Sequence, residues 1–240
     1  GDIDVAASDD GVNAANSDLG ERSDKYAINI AGGDLYIDAG SDGLDSNNDI
    51  TMTGGKVEVY GADAMMDAAI DYDGTFTLSG GTLFGAGMEP GAGTQAYVAV
   101  GETSPSGGHG GMGGGQGMTR PDKTDGSTMT PPDGQQSGTR PEKPSGDKNG
   151  WTGGKGQSAN RESALGIKEG SVITVQDASG KTLYTATALG SMSSVIFSSA
   201  DIKEGETYTV LVDGTSVGTA TAKLGTSSSD GGSFAPGQNQ

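Results

Sequence analysis

GGDLYIDAGSDGLDSNNDITMTGGKVEVYG, residues 32–61, decides how this chain is read. Its Gly-Gly pair at 32 and 33 returns at 54 and 55, a shift of 22 residues, and again at Gly80 and Gly81, a shift of 26. The four extra residues of the later copy fall in the GADAMMDAA stretch. An earlier copy, GDIDVAASDDGVNAAN from Gly1, aligns with GDLYIDAGSDGLDSNN from Gly33 at a shift of 32, its excess being a polar insertion near NSDLGERSDK. On either side of the glycine corner apolar residues alternate with period 2: Ile50 and Met52, then Val57 and Val59; Phe76 and Leu78, then Leu83. Alternation of this kind marks strands with one face turned inward. Short repeats of strand and glycine corner, without helical periodicity, predict an all-β chain whose first part is a right-handed parallel β-helix, a solenoid. A leucine-rich repeat of similar length would show a helix or a Leu and Asn framework, and neither is present.

Composition agrees with repetitive β structure. Only 32% of the 240 residues are hydrophobic and 5% aromatic, whereas Gly supplies 45. A solenoid lines each coil with few large side chains, and Gly, Asn, Asp and Thr serve turns and ladders. The chain has no cysteine, so disulfides are excluded. No apolar run reaches membrane-spanning length, which argues against membrane insertion. The opening GDIDVAASDDG already lies within a repeat, and upstream coils and an export signal are expected to precede it.

The formal net charge is −18, and residues 1–90 carry eighteen Asp or Glu against three Lys or Arg. A charge so concentrated excludes nucleic acid as a partner and makes hard cations the natural ones. Residues 101–161 contain no Ile, Leu, Val, Phe or Tyr and hold six of the eight prolines, so they are expected to be a disordered insertion. Beyond it, SVITVQ and KTLYTATA flank a turn, SSVIFSS follows, and ETYTVLV and TSVGTATA flank another, which predicts an antiparallel unit. The resulting organisation is parallel coils over 1–90, a strand at 91–100 that joins the C-terminal unit, the insertion at 101–161, a small antiparallel β cap over 162–223 and a flexible tail at 224–240.

SDGLDSNNDITMTGG at 41–55, AAIDYDGTFTLSGGTL at 68–83 and SSVIFSSADIKEGETYTVLVDG at 193–214 resemble, in order, the bacterial carbohydrate-binding domain-containing proteins, a family formerly known as a domain of unknown function. The resemblance implies a right-handed parallel β-helix like that of polysaccharide lyases, calcium between coils, and affinity for cellulose-like or acidic polysaccharide such as pectin. The long Met-, Gly- and Pro-rich insertion departs from the family pattern.

Two constellations carry candidate chemistry. Asn13, Asp45 and Asp71 are equivalent under the repeat shifts; Asp10 and Asp42 form a second column, and Asp73 aligns with Asn47. Carboxylates one strand apart repel, and calcium, which takes six to eight oxygens, relieves that repulsion. Asp10, Asn13, Asp42, Asp45, Asn47, Asp71 and Asp73 are therefore the candidate Ca2+ ligands. The plainer reading is that Asp and Asn favour turns beside glycine. The second constellation is an outward column of Asp4, Tyr36, Glu58 and Phe84 beside Asp38 and Tyr60. Tyr36, Asp38, Glu58, Tyr60 and Phe84 are the candidate carbohydrate-binding residues, aromatic rings stacking on sugars and acids accepting from hydroxyls; strand propensity alone would also place them there.

Catalysis finds little support. A lyase needs a basic residue near its calcium, and the repeats offer only Arg22, Lys25 and Lys56; His109 and Trp151 lie in the insertion, and the nearby acids Asp71 and Asp73 suit a cation better than a glycosidase pair. The expected protein is a noncatalytic, calcium-dependent carbohydrate-binding module, monomeric, extracellular or at the bacterial cell surface. The alternatives are a calcium-dependent polysaccharide lyase or hydrolase and a structural stalk or adhesin.

Overall fold

In the computed structural model, residues 1–15, 25–63, 67–103 and 164–226 are described. The segments expected to be insertion and tail, with Arg22, His109 and Trp151, lie almost entirely outside these residues. The regular elements of the described residues are all strands: β1 (Asp2–Ala7), β2 (Val12–Ala14), β3 (Ala27–Ile30), β4 (Asp34–Ala39), β5 (Leu44–Ser46), β6 (Asp49–Tyr60), β7 (Ile70–Tyr72), β8 (Phe76–Gly85), β9 (Ala92–Gly93), β10 (Tyr97–Gly101), β11 (Val172–Gln176), β12 (Thr182–Thr187), β13 (Ser194–Ser198), β14 (Thr207–Val212) and β15 (Thr215–Thr221).

The repeats become parallel neighbours. β1, β4, β6 and β8 pair side by side, so that Val5, Ile37 and Val59 share one row and Leu35, Val57 and Leu83 another. β3 pairs with the first half of β6 and β4 with its second half, so β6 runs unbroken past the corner that separates β3 from β4. β2, β5 and β7 form a separate three-stranded parallel ladder.

The corner glycines explain why the copies stack. Gly33, Gly55 and Gly81 have φ of 83°, 86° and 96°, in the left-handed region that side chains avoid. A Cβ on Gly33 would sit 2.6 Å from the Gly1 carbonyl oxygen, one on Gly55 2.6 Å from that of Gly33, and one on Gly81 2.6 Å from that of Gly55. The same carbonyls accept ladder hydrogen bonds, Asp34 N–H donating to Gly1 at 3.0 Å and Lys56 N–H to Gly33 at 2.8 Å. Each corner thus needs glycine twice, for its dihedral and for the close approach of the backbone beside it.

The expectation of a right-handed parallel β-helix with a small separate antiparallel cap is corrected by the sheet topology. The largest sheet has eight strands and is mixed: beyond β8 it continues through β13 and β10, both antiparallel to their neighbours. A four-stranded antiparallel sheet, β12-β11-β14-β15, stands beside it. The segment SSVIFSS, expected in the cap, is the strand β13 that extends the repeat sheet, and QAYVAV pairs with it as β10. The physical reason is that a repeat period reports only how copies pair with one another. Segments without a copy, such as β10 and β13, choose their partners by which faces they must bury.

β13 shows that choice. All five residues of SVIFS are buried, with Ile196 in one core and Val195 and Phe197 in the other. A strand covered on both faces reads as a continuous apolar run, not as an alternation. One core holds Ile37, Leu44, Ile50, Met52, Val57, Val59, Ile70 and Phe76 between the repeat sheet and the β2-β5-β7 ladder; the other packs Tyr60, Phe84 and Phe197 against Ile173, Val175 and Val210 of the four-stranded sheet. Glu89 ties the two regions together. Its carboxylate accepts from Tyr97 Oη at 2.6 Å, Thr103 Oγ1 at 2.5 Å and Lys223 Nζ at 2.6 Å.

If the glycine column sets the ladder spacing, Gly55→Ala should cost roughly 1–3 kcal/mol in urea denaturation through dihedral strain and backbone contact. Gly190→Ala, where an added Cβ meets nothing within 4 Å, is the control and should change stability by no more than about 0.5 kcal/mol.

Candidate functional site

The acidic column expected from the repeats is a ladder. Asn13 pairs with Asp45 and Asp45 with Asp71, each as Cα partners on adjacent strands β2, β5 and β7. Around it, Asp10 accepts from the side-chain amide of Asn13 and, at 3.2 Å, from the backbone N–H of Asp42. Asp42 accepts from the N–H of Ala68 at 2.6 Å, and Asn47 donates to Asp73 at 3.4 Å. All seven candidate ligands therefore lie on or beside one ladder. Among the described residues no three acidic, His or Cys side chains converge on a single point.

The electrostatics of this ladder are unfavourable as it stands. Burial first, then the charges of Asp71, Asp45 and Asp10, push the Asp42 carboxyl up from 3.8 to about 7, against the opposing hydrogen bond from Ala68. Asp45 rises to about 6, through burial and the charges of Asp10, Asp71 and Asp73. Asp49, at the start of β6, does a different job: it accepts from Thr75 N–H at 2.8 Å, bracing the turn before β8. Asp49 belongs to the same repeat, but it faces a turn amide rather than the ladder of carboxylates.

The aromatic column is assembled, but as packing. Tyr36 and Tyr60 have ring centroids 5.8 Å apart, and Tyr60 and Phe84 5.9 Å. Tyr184 of β12 then stacks on Phe84 at 5.3 Å with planes 29° apart, and on Phe197 at 4.9 Å. Tyr60 is 4% exposed and Phe84 0%. The expected open platform is thus covered at one end by the four-stranded sheet and β13, because the side of the repeat sheet carrying these rings is the side on which the C-terminal strands bury their own apolar residues. Glu58 is engaged in the same seam, accepting from Tyr60 Oη at 2.7 Å and Tyr184 Oη at 2.5 Å, with Lys56 Nζ at 3.7 Å. Of the five candidates, Tyr36 and Glu58 are half-buried and Asp38 is exposed. Tyr184 was missed from sequence because it lies in no repeat; its signal, an aromatic within KTLYTATA, does not say which sheet it faces.

Comparisons with protein-family models, with curated proteins and with solved structures found no match to this chain.

Two outcomes test this geometry. Phe84→Ala should cost about 3–5 kcal/mol in chemical denaturation, as for a buried core aromatic, and not merely weaken a surface contact. Asp42 and Asp45 bind protons more tightly folded than unfolded, so their contribution to stability is fully present below pH 4 and is lost as pH rises through about 6 and 7. In chelator-treated protein the melting temperature should fall across that window, and Asp42→Asn should flatten the fall.

Proposed function

We propose that this protein is a noncatalytic binding module that takes up calcium on the β2-β5-β7 ladder and retains polysaccharide there, outside the cell or at its surface, as a monomer. The observation that supports it is the ladder itself: Asn13, Asp45 and Asp71 in register, with Asp10, Asp42 and Asp73 adding charge of the same sign to a half-buried row. Natural sequences rarely keep like charges facing each other across strands without an offsetting partner. The donors fit calcium in kind. All are hard oxygens, and calcium accepts amide and backbone carbonyl oxygens alongside carboxylates in irregular arrangements, whereas magnesium demands a small octahedral cage. Asp45 and Asp71 would hold the ion with Asn13, and sugar hydroxyls or uronate carboxylates would complete its shell. The polysaccharide half of the reading rests on the resemblance of the quoted motifs. A surface for it on the aromatic column is weakened by the burial of Tyr60 and Phe84.

A cation that binds the folded chain and not the unfolded one adds about 3 kcal/mol at a hundredfold excess over its dissociation constant. Melting temperature should therefore rise with calcium, fall with chelator and respond weakly to magnesium. Asp45→Asn with Asp71→Asn should stabilise the metal-free protein by removing repulsion while erasing most of the calcium response. Equal melting with calcium and with chelator in the parent rejects the reading. Retention on insoluble polygalacturonate or cellulose with calcium, without released sugar, separates a binding module from a lyase or hydrolase.

A further inference from the structure

The turn that joins β11 to β12 and the segment that joins β13 to β14 line a cleft of about 390 Å3, formed wholly by residues within 177–208. Both walls are held by their own side chains. Asp177 Oδ1 accepts from the Ser179 N–H at 2.9 Å, the Ser179 hydroxyl at 2.6 Å and the Lys181 N–H at 3.0 Å, which closes the first turn on itself. On the other wall the Tyr208 hydroxyl accepts from the Lys203 N–H at 2.9 Å and donates to the Asp201 carbonyl at 3.3 Å, while the Glu206 N–H donates to the Lys203 carbonyl at 3.1 Å. Ile202, 5% exposed, anchors that segment in the core. The cleft therefore holds its form by itself, and a site organised in advance loses less binding energy to ordering.

Four charged ends are left over in it. Asp177 is occupied by its own turn, but Lys181, Lys203, Asp201 and Glu206 line the same cleft, and among the described residues none of their side-chain ends is in an ion pair or hydrogen bond. Lys56 and Lys223, by contrast, are paired with Glu58 and Glu89. Two cations and two anions on one cleft complement a ligand that carries a charge of each sign, and disfavour one that carries a single sign. Leu183, half-buried, adds an apolar patch to the lining. Small-ligand sites run from about 300 to 1,000 Å3, so this one has room for a few residues and not for a folded partner.

We propose that this cleft binds a short zwitterionic peptide, its terminal carboxylate held by Lys181 from one wall and Lys203 from the other, its terminal ammonium by Asp201 and Glu206, and an apolar side chain against Leu183. Hydrogen bonds in which both partners are charged are the stronger kind, and a grip on each end selects for length as well as charge. The cleft is separate from the acidic ladder, and neither calcium nor polysaccharide plays a part in it.

The probe is the peptide Ala-Leu-Ala with free ends, titrated by calorimetry into the full chain in chelator and compared with its N-acetylated form, its C-amidated form and trigalacturonate; amide NMR shifts locate the binding. The free peptide should shift the amides of 177–181 and 201–207 and bind at least tenfold more tightly than the other three, with affinity falling as salt rises. Lys181→Gln with Lys203→Gln, both at exposed positions, should lose most of the affinity and become indifferent to C-amidation while still discriminating against N-acetylation. Asp201→Asn with Glu206→Gln, also exposed, should show the reverse, a crossed pattern that a merely structural role would not produce. Unmoved 177–181 and 201–207 amides with the free peptide would overturn the proposal, as would capped peptides that bind as tightly as the free one. Binding that needs calcium, or trigalacturonate that competes on equal terms, would also overturn it.

Discussion

The close approach of one glycine corner to the next is the constraint on which the repeat region depends. At Gly33, Gly55 and Gly81 the backbone turns through a left-handed dihedral while the neighbouring carbonyl lies where a Cβ would be, 2.6 Å away in all three. Because the corners coincide, the strands on both sides of them fall into register, and register places Ile37 over Val59 and Asp45 over Asp71. Apolar and acidic rows are consequences of the same stacking. In one case they bury hydrocarbon, which favours folding, and in the other they crowd carboxylates, which opposes it.

The C-terminal strands settle what the repeats leave open. A parallel sheet is comfortable only when both faces are covered. On one side the β2-β5-β7 ladder closes over Ile50, Phe76 and Leu78; on the other the four-stranded sheet closes over Tyr60 and Phe84. Tyr184 couples the two sheets by ring stacking and by donating to Glu58, so an acid on the repeat sheet is held by hydroxyls from both sides of the seam. Glu89 plays the corresponding part elsewhere, where burial would raise its carboxyl but Lys223, Thr103 and Tyr97 hold it below its ordinary value. These two glutamates contrast with Asp42 and Asp45. The glutamates have donors matched to their oxygens, whereas Asp42 and Asp45 are raised by burial first and then by neighbouring aspartates, with the Ala68 N–H opposing the rise at Asp42.

That contrast gives the acidic ladder its functional interest. A surface acid row is ordinarily solvated and carries no message, but Asp42 is 9% exposed and feels the charges of Asp71, Asp45 and Asp10. Around Tyr60 and Phe84 the aromatic side of the repeat sheet is taken up by packing, while the ladder retains unbalanced charge.

Much of the pairing was legible in the sequence. The spacing of Gly-Gly pairs and the period-2 alternation of Ile50, Met52, Val57 and Val59 determine that copies lie side by side and which residues share a row, because stacking equal backbones repeats equal environments. The acidic column followed from the same alignment. The sequence did not determine where chains without a copy go. SSVIFSS and QAYVAV became antiparallel members of the repeat sheet, so the solenoid with a small C-terminal cap gave way to a mixed sheet flanked by others, and Tyr60 and Phe84 of the aromatic column became interior. Periodicity is a relation between copies; the docking of a nonrepeating strand is decided by which apolar faces remain uncovered once the copies have stacked, and only the tertiary structure contains that.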